Sequence, residues 1–318
     1  MNETALALSG VSKSYGSFAA VSGLTFSVRR GEIYGFLGPN GAGKTTTLRM
    51  LLGIIAPDAG TISVLGHNSV ASVKPRVGYL PEERGLYRKM RAAETIAYFG
   101  RLKGMDSKRA MGEARTLLER FGLGAFADTR IEGLSKGMAQ KVQILSTIVH
   151  GPDLIILDEP FSGLDPVNQQ TLEDLIAGEA RKGRTILFST HVMQHAERLC
   201  QRFVLIARGR KLFEGTVNEA RARLPRRIHL ALAEDEGGAG RERLSRLPGV
   251  AAVAPGDDGL YALDLAASAS GEAVLKACFD SGLALRRFDL SEPSLHDVFV
   301  SFVGKAEGAH AAPAREAA

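Results

Sequence analysis

The sequence predicts an α/β protein built on a parallel sheet with helices on its faces, followed by a smaller α+β unit. Three observations predict it. Apolar runs of strand length at Glu32-Ile-Tyr-Gly-Phe-Leu37, Leu154-Ile-Ile-Leu157 and Thr185-Ile-Leu-Phe-Ser189 each lead into stretches with helical spacing. Between the first run and a breaker-free segment carrying Leu48, Leu51 and Leu52 lies Gly38-Pro-Asn-Gly-Ala-Gly-Lys-Thr45, a strand-loop-helix order. Beyond residue 226 the pattern changes to strand, helix, strand, strand, helix, strand.

Taken in order, residues 5–8 and 24–28 are short alternating segments broken by glycine, which predicts antiparallel strands with tight turns. Residues 61–65 and 77–80 read as further strands. From 82 to 149 the character is helical, most clearly at Ala92-Ala-Glu-Thr-Ile-Ala-Tyr-Phe and over 109–121, with Arg and Lys on the polar side. Helical patterns follow both later strands. Around 217–227 the composition turns basic and Pro225 interrupts it, which bounds a first domain of residues 4–220. The second domain, 226–304, reads as strand 227–233, helix 241–247, strand 250–253 and a turn at Asp257-Asp-Gly259. Strand 260–265, helix 270–279, strand 283–290 and a closing helix over 294–303 complete it. That order is the ferredoxin-like plan. Residues 305–318, rich in Ala and Glu, read as a disordered tail.

Composition narrows the function. The 318 residues are 45% apolar, ordinary for a chain with a real core, and carry a formal charge of +5. That charge by itself does not choose among nucleic acid, anionic lipid and phosphate ligands. Tryptophan is absent and aromatics are few, which argues against a surface of stacked aromatics for single-stranded nucleic acid. Cys200 and Cys278 lie in no metal-ligand or C-x-x-C spacing, so reduced thiols are expected. No secretory signal and no apolar run of membrane-spanning length is read, so a membrane role requires a separate partner.

The glycine-rich loop carries the first chemistry. Glycines permit backbone conformations in which successive N–H groups face phosphate oxygens, and the helix behind adds its positive end. Gly38, Pro39, Asn40, Gly41, Ala42, Gly43, Lys44, Thr45 and the adjoining Thr46 are therefore candidate nucleotide-binding residues. Lys44 supplies a point charge between the β- and γ-phosphates, and the Thr45 hydroxyl can ligate Mg²⁺. Leu154-Ile-Ile-Leu-Asp-Glu-Pro160 places two acids at the end of a buried strand. Asp158 is assigned to the Mg²⁺ and Glu159 to orienting and deprotonating the attacking water. In isolation such acids mark a solvated strand end; the phosphate loop upstream makes the catalytic reading the better one.

At this point the chain resembles the ATP-binding cassette (ABC) proteins over about residues 4–220. Leu134-Ser-Lys-Gly-Met138 is similar to the family's Leu-Ser-Gly-Gly-Gln signature. The resemblance implies a P-loop NTPase cassette with a helical subdomain at about 82–149. It further implies that Ser135 and Gly137 face the γ-phosphate held by another subunit. Asp165, in Ser162-Gly-Leu-Asp165, then takes the role of the loop joining paired sites. His191 resembles the histidine that contacts the γ-phosphate, and Tyr15 the aromatic ring that stacks on adenine. ATP and Mg²⁺ are the implied cofactors. The implied partners are an integral-membrane permease and a second copy of the chain, with no nucleic acid. The implied location is cytoplasmic, on the inner face of the membrane through the permease.

Three departures stand out. Tyr79-Leu-Pro-Glu82 has an acid where most members carry glutamine; Glu82 can still reach Mg²⁺ or its water. In the signature, Lys136 replaces a glycine and Met138 the glutamine. Activity is expected to survive these changes. The Tyr-Leu-Pro-Glu-Glu-Arg-Gly-Leu-Tyr87 stretch and Glu292-Pro-Ser-Leu-His-Asp-Val-Phe299 resemble subunits that serve ABC-2-type exporters, among them sodium-efflux and drug-resistance systems. By that resemblance, residues 82–108, with Arg84, Arg88, Lys89, Arg91 and Arg101, lie where the permease docks. A non-transport ABC ATPase acting on ribosomes or DNA is the alternative, although neither tandem cassettes nor long heptads are present.

Overall fold

The computed structural model describes residues 3–83, 85–233, 239–256, 259–266 and 269–308. The chain divides into two units, Met1–Thr216 and Val217–Ala318.

In the first unit, β1 (Thr4–Tyr15) and β2 (Phe18–Arg29) form a long antiparallel hairpin, followed by β3 (Ile33–Leu37). β4 (Ala59–Val64) returns to pair with β1, so a three-stranded antiparallel sheet runs β2-β1-β4. The larger sheet is built from β3, β5 (Val77–Leu80), β6 (Leu154–Asp158), β7 (Thr185–Thr190), β8 (Arg202–Ala207) and β9 (Arg210–Gly215). Its order is β5-β6-β7-β3-β8-β9, all parallel except β9, which pairs antiparallel at one edge.

The central strands are apolar throughout because both faces are covered. In β6, Ile155 and Leu157 pack with the helices, together with Ile186 and Phe188 of β7. Leu154 and Ile156 point the other way, toward Tyr34, Phe36 and the inner face of the antiparallel sheet. The period-2 alternation of a strand thus splits one apolar run between two cores.

The helices are α1 (Lys44–Leu51), α2 (Ala92–Leu102), α3 (Ser107–Arg120), α4 (Lys136–Ile148), α5 (Pro166–Arg181) and α6 (Met193–Leu199). Side chains fix several starts: Asp106 caps α3, Ser135 caps α4 and Asp165 caps α5, each accepting a backbone N–H two or three residues on. Pro166 occupies the first turn of α5, where its missing N–H costs nothing. After β7 the sequence reads as helical, but the structure holds only the seven-residue α6 and then two strands, β8 and β9. The tight Arg208-Gly209 turn, with both residues at positive φ, explains how so short a segment accommodates a hairpin.

The second unit contains α7 (Val217–Arg221), β10 (Arg227–Leu232), α8 (Ala239–Ser245), β11 (Val250–Pro255), β12 (Tyr261–Leu265), α9 (Gly271–Asp280), β13 (Leu285–Ser291) and α10 (Leu295–Gly308). Its sheet order, β11-β12-β10-β13 with every pair antiparallel, is that of the ferredoxin-like plan. Ile228, Leu230, Leu263 and Leu265 turn one sheet face toward Leu244, Val274 and Cys278 of α8 and α9. The last helix extends to Gly308, past both the Val303 end and the 305 start of the tail that the sequence predicts. Residues 309–318, the Asp257-Asp258 part of the expected turn and Arg84 lie outside the described residues.

Candidate functional site

β3 is buried at every position and delivers the chain to the glycine-rich loop beside β7 and β8. Gly43 has φ 100, and a Cβ there would stand 2.5 Å from the Ala20 carbonyl oxygen. A Cβ on Gly38 would stand 2.4 Å from the carbonyl oxygen of Ile206. The loop is therefore pressed between β2 and β8, and a side chain at either glycine would push it out of place.

In front of the loop lies a cleft of about 410 Å³, walled by Pro39, Asn40, Gly41, Ala42, Gly43, Lys44, Thr45 and Thr46, with Phe18, Ala20, Glu82 and Glu159. Lys44 is buried beneath it. Its ammonium donates to the carbonyls of Gly38 at 2.7 Å and Pro39 at 3.3 Å, and stands 3.1 Å from Glu159 Oε1. The other oxygen, Glu159 Oε2, is 3.0 Å from His191 Nδ1. Lys44, Glu159 and His191 thus form one polar chain across the ends of β3, β6 and β7, and His191 is the exposed end of it.

Asp158 stands beside this chain. Its Oδ1 accepts the Ser189 hydroxyl at 2.5 Å, and its Oδ2 is buried without a hydrogen-bond partner. Burial holds the Asp158 carboxyl above the usual carboxylate range, opposed by the hydroxyls of Ser189 and Thr45. A buried oxygen with an unused lone pair, next to a threonine hydroxyl, is the donor set that a hard divalent cation takes. The residues present fit Mg²⁺.

The sequence did not single out Ser189. Its hydroxyl donates to Asp158 while its oxygen accepts the backbone N–H of Glu159 at 3.0 Å, so one residue on β7 sets the orientation of both acids. The signal was available: Ser189 and Thr190 are small polar residues closing an apolar strand that lies between the loop strand and the acid strand. Gln140 was missed too. It is buried, and its amide donates to the Pro160 carbonyl at 2.8 Å, tying α4 to the residue after Glu159.

The other expected site residues fall elsewhere. Ser135 and Gly137 are at the start of α4, and Asp165 at the start of α5; none walls the cleft. They are neighbours of each other instead: a Cβ on Gly137 would lie 2.8 Å from Asn168 Nδ2, and that amide donates to Asp165 at 2.6 Å. Asn168 holds the Asp165 carboxyl below its usual range by donating hydrogen bonds to it from its backbone and side-chain N–H groups. Tyr15 is at the tip of the β1–β2 hairpin and is not in the cleft wall, whereas Phe18, its cross-strand partner, is.

Residues 21–162 match the ABC transporter family, and residues 215–303 match the C-terminal domain of DrrA1-3-like ATP-binding proteins. The ABC transporter ATP-binding protein YhaQ of Bacillus subtilis is 38% identical over 94% of this chain and 98% of its own length. The chain belongs to the ABC transporter ATP-binding proteins. Nod factor export ATP-binding protein I of a Rhizobium strain is 36% identical to this ABC protein over 96% of the chain and 99% of that relative. A solved ATP-binding subunit of an ABC transporter is 33% identical, with a TM-score of 0.64 over 69% of this chain and 93% of the other. As a member of this family the chain binds ATP, hydrolyses it to power transport, and works with membrane permease subunits. No helix among its described residues is long and apolar enough to cross a membrane.

Proposed function

We propose that this ABC subunit drives export through an ABC-2-type permease, acting as a homodimer that closes over two ATP molecules at the inner face of the membrane. The observation that carries the reading is the division of the site. Lys44, Thr45 and Glu159 line one cleft, with His191 against Glu159 and Asp158 preceding it at the strand end, while Ser135, Gly137 and Asp165 cluster outside it. Two copies facing each other would supply each cleft with the missing half. The full-length likeness to a Nod factor exporter supports the direction of transport.

Bound Mg²⁺ would neutralise charge on the β- and γ-phosphate oxygens. Thr45 and the unused Asp158 Oδ2 would hold it, with Glu82 at the cleft wall within reach of its water. When a triphosphate enters, Lys44 exchanges Glu159 and the loop carbonyls for phosphate oxygens. Glu159 is then free to take a proton from the attacking water, while His191 holds the carboxylate on one side and contacts the γ-phosphate on the other. Loss of the γ-phosphate removes contacts shared by the two copies, and the dimer opens.

The permease-facing surface is assigned to residues 82–108. Tyr87, Arg88, Lys89, Arg91, Arg101 and Leu102 are exposed there. Next to them a cavity of about 240 Å³ opens between the Gly78–Pro81 segment, α2 and α4, with Phe99, Lys103 and His150 in its wall. Because Pro81 adjoins Glu82, a partner seated in this cavity would touch the segment that reaches the nucleotide. Co-expression with an ABC-2-type permease from the same genome is the test: the pair is expected to co-purify, with Mg²⁺-dependent ATP turnover rising on assembly. Co-purification with ribosomes or DNA, and none with the permease, would sink the reading.

His150 gives this region a pH signature. Burial, helped by the nearby Lys103 charge, lowers its pKa from 6.5 to about 4. Between those values the unfolded chain binds a proton that the folded chain does not. Stability is therefore fully present above pH 6.5 and is lost as pH falls toward 4. His150→Gln is expected to flatten the fall in urea midpoint across that interval. An unchanged slope would show that His150 is not its source.

A further inference from the structure

Glu159 opens a tight turn in which the Ser162 N–H donates back to the Glu159 carbonyl at 3.1 Å. Ser189 holds the Glu159 N–H and Gln140 holds the Pro160 carbonyl, so the backbone of the turn is fixed from two sides. Its third anchor is a side chain. Phe161, buried in the middle of the turn, meets Phe188 of β7 edge-on with ring centroids 5.9 Å apart. Its other face lies flat on the imidazole of His195, with centroids 4.0 Å apart and the two planes 12° from parallel. His195 is itself buried on α6, and its Nδ1 stands 3.2 Å from Oε1 of Glu173, a buried residue of α5. Arg198 stands 3.5 Å from the same oxygen. Two apolar side chains would join α5 to α6 at least as well, since a buried imidazole and carboxylate lose hydration that their mutual contact only offsets. What the polar pair adds is direction: an Nδ1–H donated to a fixed carboxylate sets the tilt of the ring. That tilt is what lays His195 on Phe161. The same short helix continues the chain from His191, with the Val192 N–H tied to the Thr190 hydroxyl at 3.0 Å and α6 starting at Met193. One side chain therefore bears on both ends of the Glu159–His191 contact.

We propose that His195, oriented by Glu173, is a positioning residue for ATP hydrolysis: its ring clamps Phe161 and so fixes the turn from which the Glu159 carboxylate is aimed. The assignment rests on the reading of Glu159 as the general base given above. His195 does not wall the cleft and touches no phosphate; it acts through Phe161 on the residue two positions earlier. A base must stand within hydrogen-bond reach of the water it deprotonates, and small displacements of such a group are costly. The φ of 46 at Glu159 makes the clamp more necessary, because a backbone held outside its preferred region relaxes when its supports are removed. Loosening the clamp would thus leave the phosphate loop intact and misplace the acid.

The test reads the chemical step apart from binding. The purified full chain and its variants His195→Ala, Phe161→Leu, Glu173→Gln and Glu173→Leu are compared for ATP affinity and for kcat and KM in Mg²⁺-ATP hydrolysis, followed long enough to record a slow rate. His195→Ala is expected to lower kcat by about ten- to a hundredfold, the cost of a displacement of about 1 Å at a reacting group, with KM and ATP affinity changed by no more than about twofold. Glu173→Gln keeps an oxygen for the imidazole and should keep kcat. Glu173→Leu keeps the packing between the helices and should lose kcat as His195→Ala does, with a melting temperature that shows the chain still folded. The double variant His195→Ala/Phe161→Leu should be no slower than the slower single one, because both changes act through one contact. The proposal is overturned if His195→Ala hydrolyses ATP at the unaltered rate, if it raises KM with kcat intact, or if Glu173→Gln and Glu173→Leu behave alike. Glu159→Gln measured alongside tells the two readings apart: should it keep the unaltered rate, the general-base assignment falls rather than the clamp.

Discussion

Glu159→Gln is expected to lower ATP turnover by about 10²–10⁴-fold, the usual contribution of a positioned general base, while ATP binds at least as tightly as before. The two halves of this expectation have one structural origin. The Lys44 ammonium lies 3.1 Å from Glu159 Oε1, and both groups are buried. A triphosphate must draw Lys44 away from that carboxylate, and the carboxylate then repels the incoming negative charge. An amide of the same shape removes both penalties and leaves Lys44 its two carbonyl acceptors. It cannot accept a proton from water, so the chemical step fails. The variant should be less stable without ligand, because a buried ammonium loses its counter-charge, and should gain more from ATP in a thermal melt. Turnover within tenfold of the unaltered subunit–permease complex would remove Glu159 from the reaction. Weakened ATP binding would show that the Lys44 pair does not compete with phosphate.

Two inactive variants are expected to restore each other. Lys44→Ala removes the phosphate-binding charge, and Ser135→Arg places a bulky cation at the exposed start of α4. Each homodimer would lack one half of both its sites. In a mixed dimer one cleft combines the intact Lys44 of one copy with the intact Ser135 of the other. Random exchange would then return about a quarter of the unaltered rate, since a two-fold interface pairs the same patches reciprocally. The measurement is steady-state turnover of the permease complex assembled from mixed, separately purified subunits. If each cleft were complete within one chain, mixing would restore nothing, and Ser135→Arg alone would retain activity.

Much of this was readable in the residues, and the reasons differ from place to place. Val77–Leu80, Leu154–Asp158 and Thr185–Thr190 stand within a residue of their expected bounds, because a strand buried on both faces is a continuous apolar run with abrupt polar ends. The strand and helix order of the second unit was equally legible, since each element there has one clear apolar face. The hairpin of β8 and β9 was not: it follows α6 with only two residues between, and the helical pattern of 193–199 masked the strand behind it. In the cleft, Lys44, Thr45, Asp158 and Glu159 were legible because loop and strand end are local motifs. Ser189, Gln140 and Phe18 were not, because their contributions arise from contacts with residues about 20–150 positions away that spacing does not encode.

The backbone at Glu159 has φ 46, a left-handed conformation that only three non-glycine residues adopt among those described. Holding an ordinary L-residue there costs on the order of 1–2 kcal/mol. Glycine or asparagine would occupy the position more comfortably, yet neither could serve as a base toward water. The bend does have a use: it turns the Glu159 N–H onto Ser189 and sends the side chain back across the strand ends to Lys44 and His191. Backbone conformation and the proposed hydrolytic role therefore make opposite demands on one residue. The subunit keeps its proposed general base at the point where its own backbone would most readily do without it.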